Sequence, residues 1–410
     1  MKKIHFTGIG GAGMAPLAQL AMEQGICVSG SDSAPSAKSE HLKALGAAVF
    51  TGHDAAQVPA DADLLVFSSA VGEDNCERRR AEELGIPQLR RGEFLGVFSK
   101  QFKRVAAVSG SHGKSSITAM LTTILEHCGF EPGALIGAAR MEGESALSGN
   151  GDIFVTEVDE SDGTHVCVTP FLGIVPNIDG DHEWSVGGPE ALKNNFRTFG
   201  QNCQHLLIAD TPELKNFFAD HPGLETAPQP EEFASFKGFM AKNAALAVKA
   251  AVMLGTDEAQ ALEGVKKFAG IERRMCTLCV EKSVTVLEDY AHHPTEVASS
   301  LSLVRALYPG QALHVIFQPH RYARLERFFD GFAEALRQAD KVFVTPVFAA
   351  WSETGKVDGH ALSCEIPGSV YWDKGWESLA QEIRRDTAPR VVVLLGAGDI
   401  SELAALFRNK

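Results

Sequence analysis

Short β-branched runs alternate with amphipathic helical segments almost from one end of this sequence to the other, and that alternation permits few folds. Strands separated by helices return parallel to one another, so the pattern predicts doubly wound, parallel α/β sheets. Strand-like runs fall at Ile4–Thr7, Leu64–Ser68, Val105–Val108, Ile153–Val158, Gly173–Asn177, Leu206–Ala209, Thr285–Asp289, Leu313–Phe317, Val342–Thr345 and Val391–Leu395. The intervening helices show the 3.6-residue period. After Lys114, for instance, Ile117, Met120, Leu121, Ile124, Leu125 and Cys128 form one apolar stripe, and Gly129 follows as a stop signal. A chain of 410 residues is long for a single core. Motif order divides it into residues 1–101, 102–271 and 272–410, with helices at about 241–254 and 257–268 closing the second part.

Composition narrows the function. With 45% hydrophobic and 22% charged residues the chain reads as globular. A net charge of −14 without a basic stripe argues against a nucleic-acid binder. No apolar run reaches membrane-spanning length, and the opening MKKIHFTGIGG lacks the apolar region of a signal peptide. With 8 scattered cysteines in a chain this size, a reducing cytoplasm is the expected compartment. Cys276 and Cys279 have CxxC spacing, but they sit where a strand begins, without a second pair, and read as packed thiols.

Three segments carry phosphate chemistry. In TGIGGAGM, Gly8, Gly10 and Gly13 stand between a strand and a helix starting near Met14. The backbone there can approach a phosphate and offer it helix N-terminal N–H groups. Asp32, in VSGSD after the next strand, occupies the position of a ribose-binding acid. Alone, this motif means a dinucleotide or a nucleotide diphosphate, and a dehydrogenase remains open. The second segment, VAAVSGSHGKSSITAML, decides against that. It is a strand, a glycine loop, Lys114-Ser115 and a helix, suited to the β/γ-phosphates and a Mg²⁺ ion. Val108 stands where the longer form of this loop has glycine, so the loop is a shortened GxxGKS. The third is acidic: EVDESD (Glu157 to Asp162) and NIDGDHEW (Asn177 to Trp184) each follow a strand, where Glu157 and His182 are expected to share a crevice with Ser115.

The last part contributes EDYAHHPTEV and FQPHRYARLERFF. His292-His293 precede Pro294 at a helix start, as in a ligand-facing loop. Arg321 and Arg324, three apart, face one way on a helical turn and can grip a carboxylate together. Arg273 and Arg274 are candidates for ATP phosphates.

From GIGGAGM to GAGDI (Gly396–Ile400) the chain resembles the Mur ligases, which build the peptide stem of bacterial peptidoglycan. SGSD, DYAHHPTE and FQPHRYAR resemble the branch that joins L-alanine to UDP-N-acetylmuramate. The resemblance implies three domains: Rossmann-like for the UDP-sugar, P-loop for ATP, and Rossmann-like for the amino acid. It implies a Mg²⁺- and ATP-dependent, ADP-forming ligation of L-alanine, or a similarly small amino acid, through an acyl phosphate. A monomer or homodimer without nucleic-acid or membrane partners is expected. A peptide-recycling or folate-type ligase and a non-catalytic sugar-nucleotide binder remain open.

Carried over by position, the UDP-sugar site comprises Gly10, Gly11, Ala12, Gly13, Met14, Asp32, Ser68 and Ser69. ATP falls to Gly110, Ser111, His112, Gly113, Lys114, Ser115, Ser116, Asn243, Arg274 and Asp289. The metal falls to Ser115, Glu157 and His182, and the amino acid to Tyr290, His292, Arg321 and Arg324. Lys114, Glu157, His182 and His292 are the expected catalytic groups, His292 orienting the amine or taking its proton. Four features depart from the family pattern. Phe239-Met240 replaces the His-Asn that precedes Asn243, Ala291 replaces a glycine, GSHGKS replaces GTHGKT, and the segment after His182 is short, implying a trimmed central domain.

Overall fold

The computed structural model describes residues 1–141, 143–180, 183–229, 233, 236–281, 283–350 and 354–408. They form three sheets in two compact units, Met1–Phe233 with Lys242–Ala269, and Ala234–Ala241 with Gly270–Lys410.

The first sheet contains β1 (Lys3–Thr7), β2 (Cys27–Asp32), β3 (Ala48–Thr51), β4 (Leu64–Phe67) and β5 (Gln88–Arg90), in the order β3-β2-β1-β4-β5 and wholly parallel. The strand order reverses at β1 and β4, which opens a crevice at their carboxyl ends. The second sheet contains β6 (Arg104–Val108), β7 (Gly133–Leu135), β8 (Ala146–Leu147), β9 (Ile153–Glu157), β10 (Leu172–Val175), β11 (His205–Ile208) and β12 (Leu224–Thr226). Its order is β12-β11-β10-β6-β9-β7-β8, with β6 between β10 and β9 and only the β7–β8 pair antiparallel. The third contains β13 (Cys276–Glu281), β14 (Val284–Asp289), β15 (Ala312–Phe317), β16 (Lys341–Val344), β17 (Val370–Tyr371) and β18 (Arg390–Leu395), ordered β13-β14-β18-β15-β16-β17. Here β13 is an antiparallel edge strand. The expected parallel architecture holds, with these two antiparallel edges as the exceptions. Neither edge strand carries the unbroken apolar run that marks a strand buried on both faces.

The first two sheets share one apolar core. A line of rings crosses it: Phe6 against Phe94 at 5.7 Å, Phe94 against Phe98 at 6.3 Å, and Phe98 against Phe154 at 5.7 Å. Phe94, Phe98 and the glycines Gly92 and Gly96 belong to the helix Arg91–Ser99. A Cβ on Gly96 would come within 2.1 Å of the Cys167 carbonyl, so only glycine lets this helix lie against the turn Thr164–Cys167. Phe94 is 1% exposed, and its truncation to alanine would cost about 3–5 kcal/mol. This packing sets the glycine loop after β1 and the acidic loop after β9 in fixed register.

Candidate active site

The loop between β6 and the helix Lys114–His127 is a backbone cradle. Gly110 and Gly113 hold φ +147° and +88°, and a Cβ on Gly110 would lie 2.8 Å from the Asn177 carbonyl. Asn177, at the end of β10, clamps the loop from below. Its Oδ1 accepts from the His112 N–H at 2.8 Å, and its Nδ2 donates to the His112 carbonyl at 3.0 Å. The Ser111 hydroxyl accepts from the Asp179 N–H at 2.8 Å, and His112 Nε2 lies 2.8 Å from Asp179 Oδ2. Ser116 is buried in the first helical turn. The Asn243 side chain packs against Gly113. It is 5% exposed, and its Nδ2 meets no hydrogen-bond acceptor among the described residues.

Lys114 Nζ donates to the Gly110 carbonyl at 2.7 Å and to Glu160 Oε2 at 2.8 Å. Burial pulls the ammonium pKa down, but Glu160, Asp159 and Glu157 outweigh it and hold the value above the ordinary one. Burial pushes the Glu160 carboxyl up to about 7 against the pull of Lys114. Beside this pair the Ser115 hydroxyl donates to Glu157 Oε2 at 2.6 Å. Hydroxyl and carboxylate oxygens are the donors Mg²⁺ prefers, usually one or two from protein and the rest from phosphate and water. Among the described residues no three His, Cys, Asp or Glu side chains gather to hold a metal by themselves. The Ser115–Glu157 pair fits an ion that takes its remaining ligands from phosphate oxygens and water. His182 lies outside the described residues.

The glycine loop after β1 sits at the crevice of the first sheet. Gly8, at φ +82°, and Ile9 donate N–H bonds to the Ser31 carbonyl at 2.8 and 2.9 Å, and Gly10 donates to Asp32 Oδ2 at 2.8 Å. Asp32 thus shapes the loop. Ser68 follows β4 and stands against Gly8, while Ala12 and Ser69 are exposed. Gly11 accepts the Met14 N–H, and the Met14 side chain lies in the core. Beneath the loop, fully buried Glu77 accepts from Thr7 at 2.8 Å and Ser31 at 2.7 Å, with His5 Nε2 at 3.3 Å. Arg91 Nη2 donates to Asp162 at 2.5 Å and Thr164 at 3.0 Å, and a Cβ on Gly13 would touch the same guanidinium at 2.8 Å.

In the second unit, Tyr290, His292, Arg321 and Arg324 belong to one basic, aromatic cluster. Arg273 and Arg274 place their guanidinium carbons 4.9 and 5.0 Å from the Tyr290 ring centre. The His292 ring packs on Tyr290 at 5.1 Å and on His320 at 5.8 Å, and Arg324 Nη1 lies 3.3 Å from His320 Nδ1. Glu296 holds the His292 N–H at 3.1 Å and Arg274 at 3.5 Å. Burial first, with Arg324 and Arg274 and against the pull of Glu296, pushes His292 down to about 4; burial, then His292 and the arginines, push His320 down to about 3, so both rings are neutral near pH 7. Arg273, Met275 and Arg321 hold φ of +58°, +51° and +66°, a rare conformation for side chains of this size. Asp289 gives both carboxylate oxygens to backbone, accepting from Met275 N at 2.9 Å and Ala291 N at 2.8 Å; burial pushes it up to about 6.

Residues 3–103 match the Mur ligase family, catalytic domain, and residues 273–398 the Mur ligase, glutamate ligase domain. The UDP-N-acetylmuramate–L-alanine ligase of Persephonella marina is 33% identical over 98% of this chain and 96% of its own length. The chain belongs to the Mur ligase family. The corresponding ligase of Phenylobacterium zucineum is 34% identical, covering 98% of this chain and 94% of that one. The crystal structure of the UDP-N-acetylmuramate–alanine ligase MurC of Thermotoga maritima superposes with a TM-score of 0.82 at 27% identity, covering 99% of this chain and 98% of that one. The murein peptide ligase of Psychrobacter arcticus shares the fold, with a TM-score of 0.71 at 22% identity over 100% and 99% of the two chains. The Mur ligase architecture of three α/β sheets expected from the motifs is the one present. Glu160 and Asn177 stand inside the acidic segments the sequence flags, and their place under the phosphate loop gives them their parts. Glu77 and Arg91 carry no motif of their own, and only tertiary contacts reveal them; His320 lies inside FQPHRYAR, and its packing on His292 gives it its part.

Proposed function

We propose that this Mur ligase joins L-alanine, or a similarly small amino acid, to UDP-N-acetylmuramate with conversion of ATP to ADP and phosphate. The observation that carries the reading is the Lys114–Ser115–Glu157–Glu160 constellation on a glycine loop, in a chain aligned almost end to end with ligases of that name. Residues 1–101 take the sugar nucleotide, 102–271 ATP and 272–410 the amino acid. We place the enzyme in the cytoplasm, as a monomer or homodimer; among the described residues no helix is long and apolar enough to cross a membrane.

In the first step, a carboxylate oxygen of the sugar acid attacks the γ-phosphorus of ATP. The bond to the bridging oxygen breaks, its electrons leave with ADP, and an acyl phosphate remains. Lys114 and the N–H groups at the helix start meet the charge that spreads over the transferring group. Ser115 and Glu157, with His182 as a further ligand, would hold a Mg²⁺ ion, which would supply charge neutralisation on the phosphate oxygens. The glycine loop after β1 binds the sugar diphosphate through backbone N–H groups. In the second step, the amino-acid nitrogen attacks the acyl carbon, the C–O bond to phosphate breaks, and the amine loses a proton. Arg321 and Arg324 hold the amino acid by its carboxylate, and neutral His292 orients the amine or takes its proton. Asn243, with an amide still able to donate, contacts the nucleotide. Arg274 contacts a phosphate, and Asp289 contacts the ATP ribose.

ADP release measured across a panel of UDP-sugars and amino acids tests the proposal. Release requiring both UDP-N-acetylmuramate and a small amino acid supports it. Preference for a preformed peptide replaces the acceptor, and no release with any pair removes the activity.

A further inference from the structure

The second unit holds a cavity of about 400 Å³ at the carboxyl ends of β15 and β16, beside the loop that follows β18. Phe348, Trp372 and Trp376 supply aromatic walls, and Asp373 and Asp399 supply negative charge. Asp399 accepts from Gln318 at 2.5 Å, which fixes it there. Its chemistry is opposite to that of the neighbouring arginine cluster. Aromatic faces with carboxylates favour an organic cation, whereas the arginines favour a carboxylate.

One residue belongs to both places. The Phe348 ring lines the cavity and stacks on His320 at 5.6 Å with an interplanar angle of 10°. It extends the ladder Tyr290–His292–His320 by one ring. The Phe348 backbone acts independently of the ring. Its N–H donates to the Pro319 carbonyl, and its own carbonyl accepts from Arg321 N, both at 2.8 Å. The ring can therefore be trimmed without removing the bonds that hold Arg321.

We propose that Phe348 is the specificity-determining residue for the size of the incoming amino acid, its ring separating the carboxylate clamp from a cavity suited to a side chain ending in a cation. This rests on the reading of Tyr290, Arg321 and Arg324 as the amino-acid site. A ring placed against the side chain of a small substrate rejects each added methylene by a factor of about 10–200. Removing it joins the two spaces.

The test is steady-state ADP release with L-alanine, L-norvaline and L-ornithine for the wild type, Phe348→Ala and Phe348→Leu, with thermal melts as the check on folding. Wild type is expected to use L-ornithine at least about 100-fold less efficiently than L-alanine. In Phe348→Ala the ornithine-to-alanine ratio of kcat/KM rises about 100-fold, with a smaller rise in Phe348→Leu. Adding Asp373→Asn to Phe348→Ala cuts the ornithine gain by about tenfold while sparing the norvaline gain. Unchanged ratios in a folded variant overturn the proposal, and so does a wild type that accepts ornithine as well as alanine, which needs no variant. An active wild type with unchanged variants strikes this proposal alone. A wild type inactive with every amino acid strikes the underlying reading and takes this proposal with it.

Discussion

Lys114 lies 2.8 Å from Glu160, and the carboxylate of that pair is fully buried. The contact holds the ammonium in the glycine loop and also makes each partner hostage to the other. Removing the lysine takes its ammonium away from a carboxylate in a place where burial already pushes the pKa up to about 7. Lys114→Met is therefore expected to abolish ADP release and to destabilise the first unit by about 3 kcal/mol. Lys114→Met/Glu160→Gln should recover most of that stability and none of the activity. Urea unfolding alongside ADP release checks both, and equal stability of the two variants would show that the pair carries no charge coupling.

The Ser115–Glu157 contact of 2.6 Å makes a separate prediction, because it concerns the metal rather than the phosphates. Ser115→Ala keeps the carboxylate and removes a neutral ligand, so the half-saturating Mg²⁺ concentration should rise about tenfold with kcat lowered less. Glu157→Gln removes the charged ligand and should lower kcat by about 10²–10³ even at saturating Mg²⁺. A magnesium titration of ADP release distinguishes these. Identical responses of the two variants would refute a shared metal site.

The sequence makes some of this site legible for a physical reason. A phosphate loop is written in consecutive residues: glycines for positive φ, then a lysine and a hydroxyl at a helix start. Gly113, Lys114 and Ser115 can therefore be read without coordinates. Glu160 and Asn177 lie in acidic segments that look functional, but their work depends on which strands flank β6, and no local pattern encodes that order. Met14 and Asp289 occupy motif positions too, and there the structure adds what a motif does not encode: one side chain fills the core and the other accepts from backbone N–H groups. The strands divide in the same way. Fully buried β18 stands out as a long apolar run, whereas β3, mostly exposed at a sheet edge, offers only the four residues AVFT.

Glu77 ties acid stability to the glycine loop after β1. Burial pushes its carboxyl up, but bonds from His5, Ser31 and Thr7 outweigh burial and hold it below the ordinary value of 4.5. A depressed carboxyl pKa contributes stability above the unfolded value, and that contribution is lost as pH falls through the folded one. Wild type should therefore lose stability progressively below about pH 4.5. Glu77→Gln, about 3 kcal/mol less stable at pH 7, should lose less, so the two curves converge in acid. Denaturant unfolding at a series of pH values checks it; parallel curves would show that Glu77 is not the linked group.

Arg321 combines strain with a proposed binding role, and the two can be separated. At φ +66° and ψ +129° it occupies backbone space that costs a non-glycine residue about 1–3 kcal/mol. Its N–H bond to the Phe348 carbonyl at 2.8 Å keeps it there. Arg321→Gly keeps that bond and relieves the strain, so unfolding should become about 1 kcal/mol harder, the extra chain entropy of glycine offsetting part of the gain. The same change deletes half of the proposed carboxylate clamp. A charge-assisted hydrogen bond lost at a substrate is worth about 1.5–3 kcal/mol, so KM for the amino acid should rise about 10–100-fold while KM for ATP stays within a factor of about two. Arg321→Ala should show the same KM effect without the added stability, because alanine retains the backbone strain. If Arg321→Gly raised both KM values together, the guanidinium would be acting on the fold of the unit rather than on the amino-acid carboxylate.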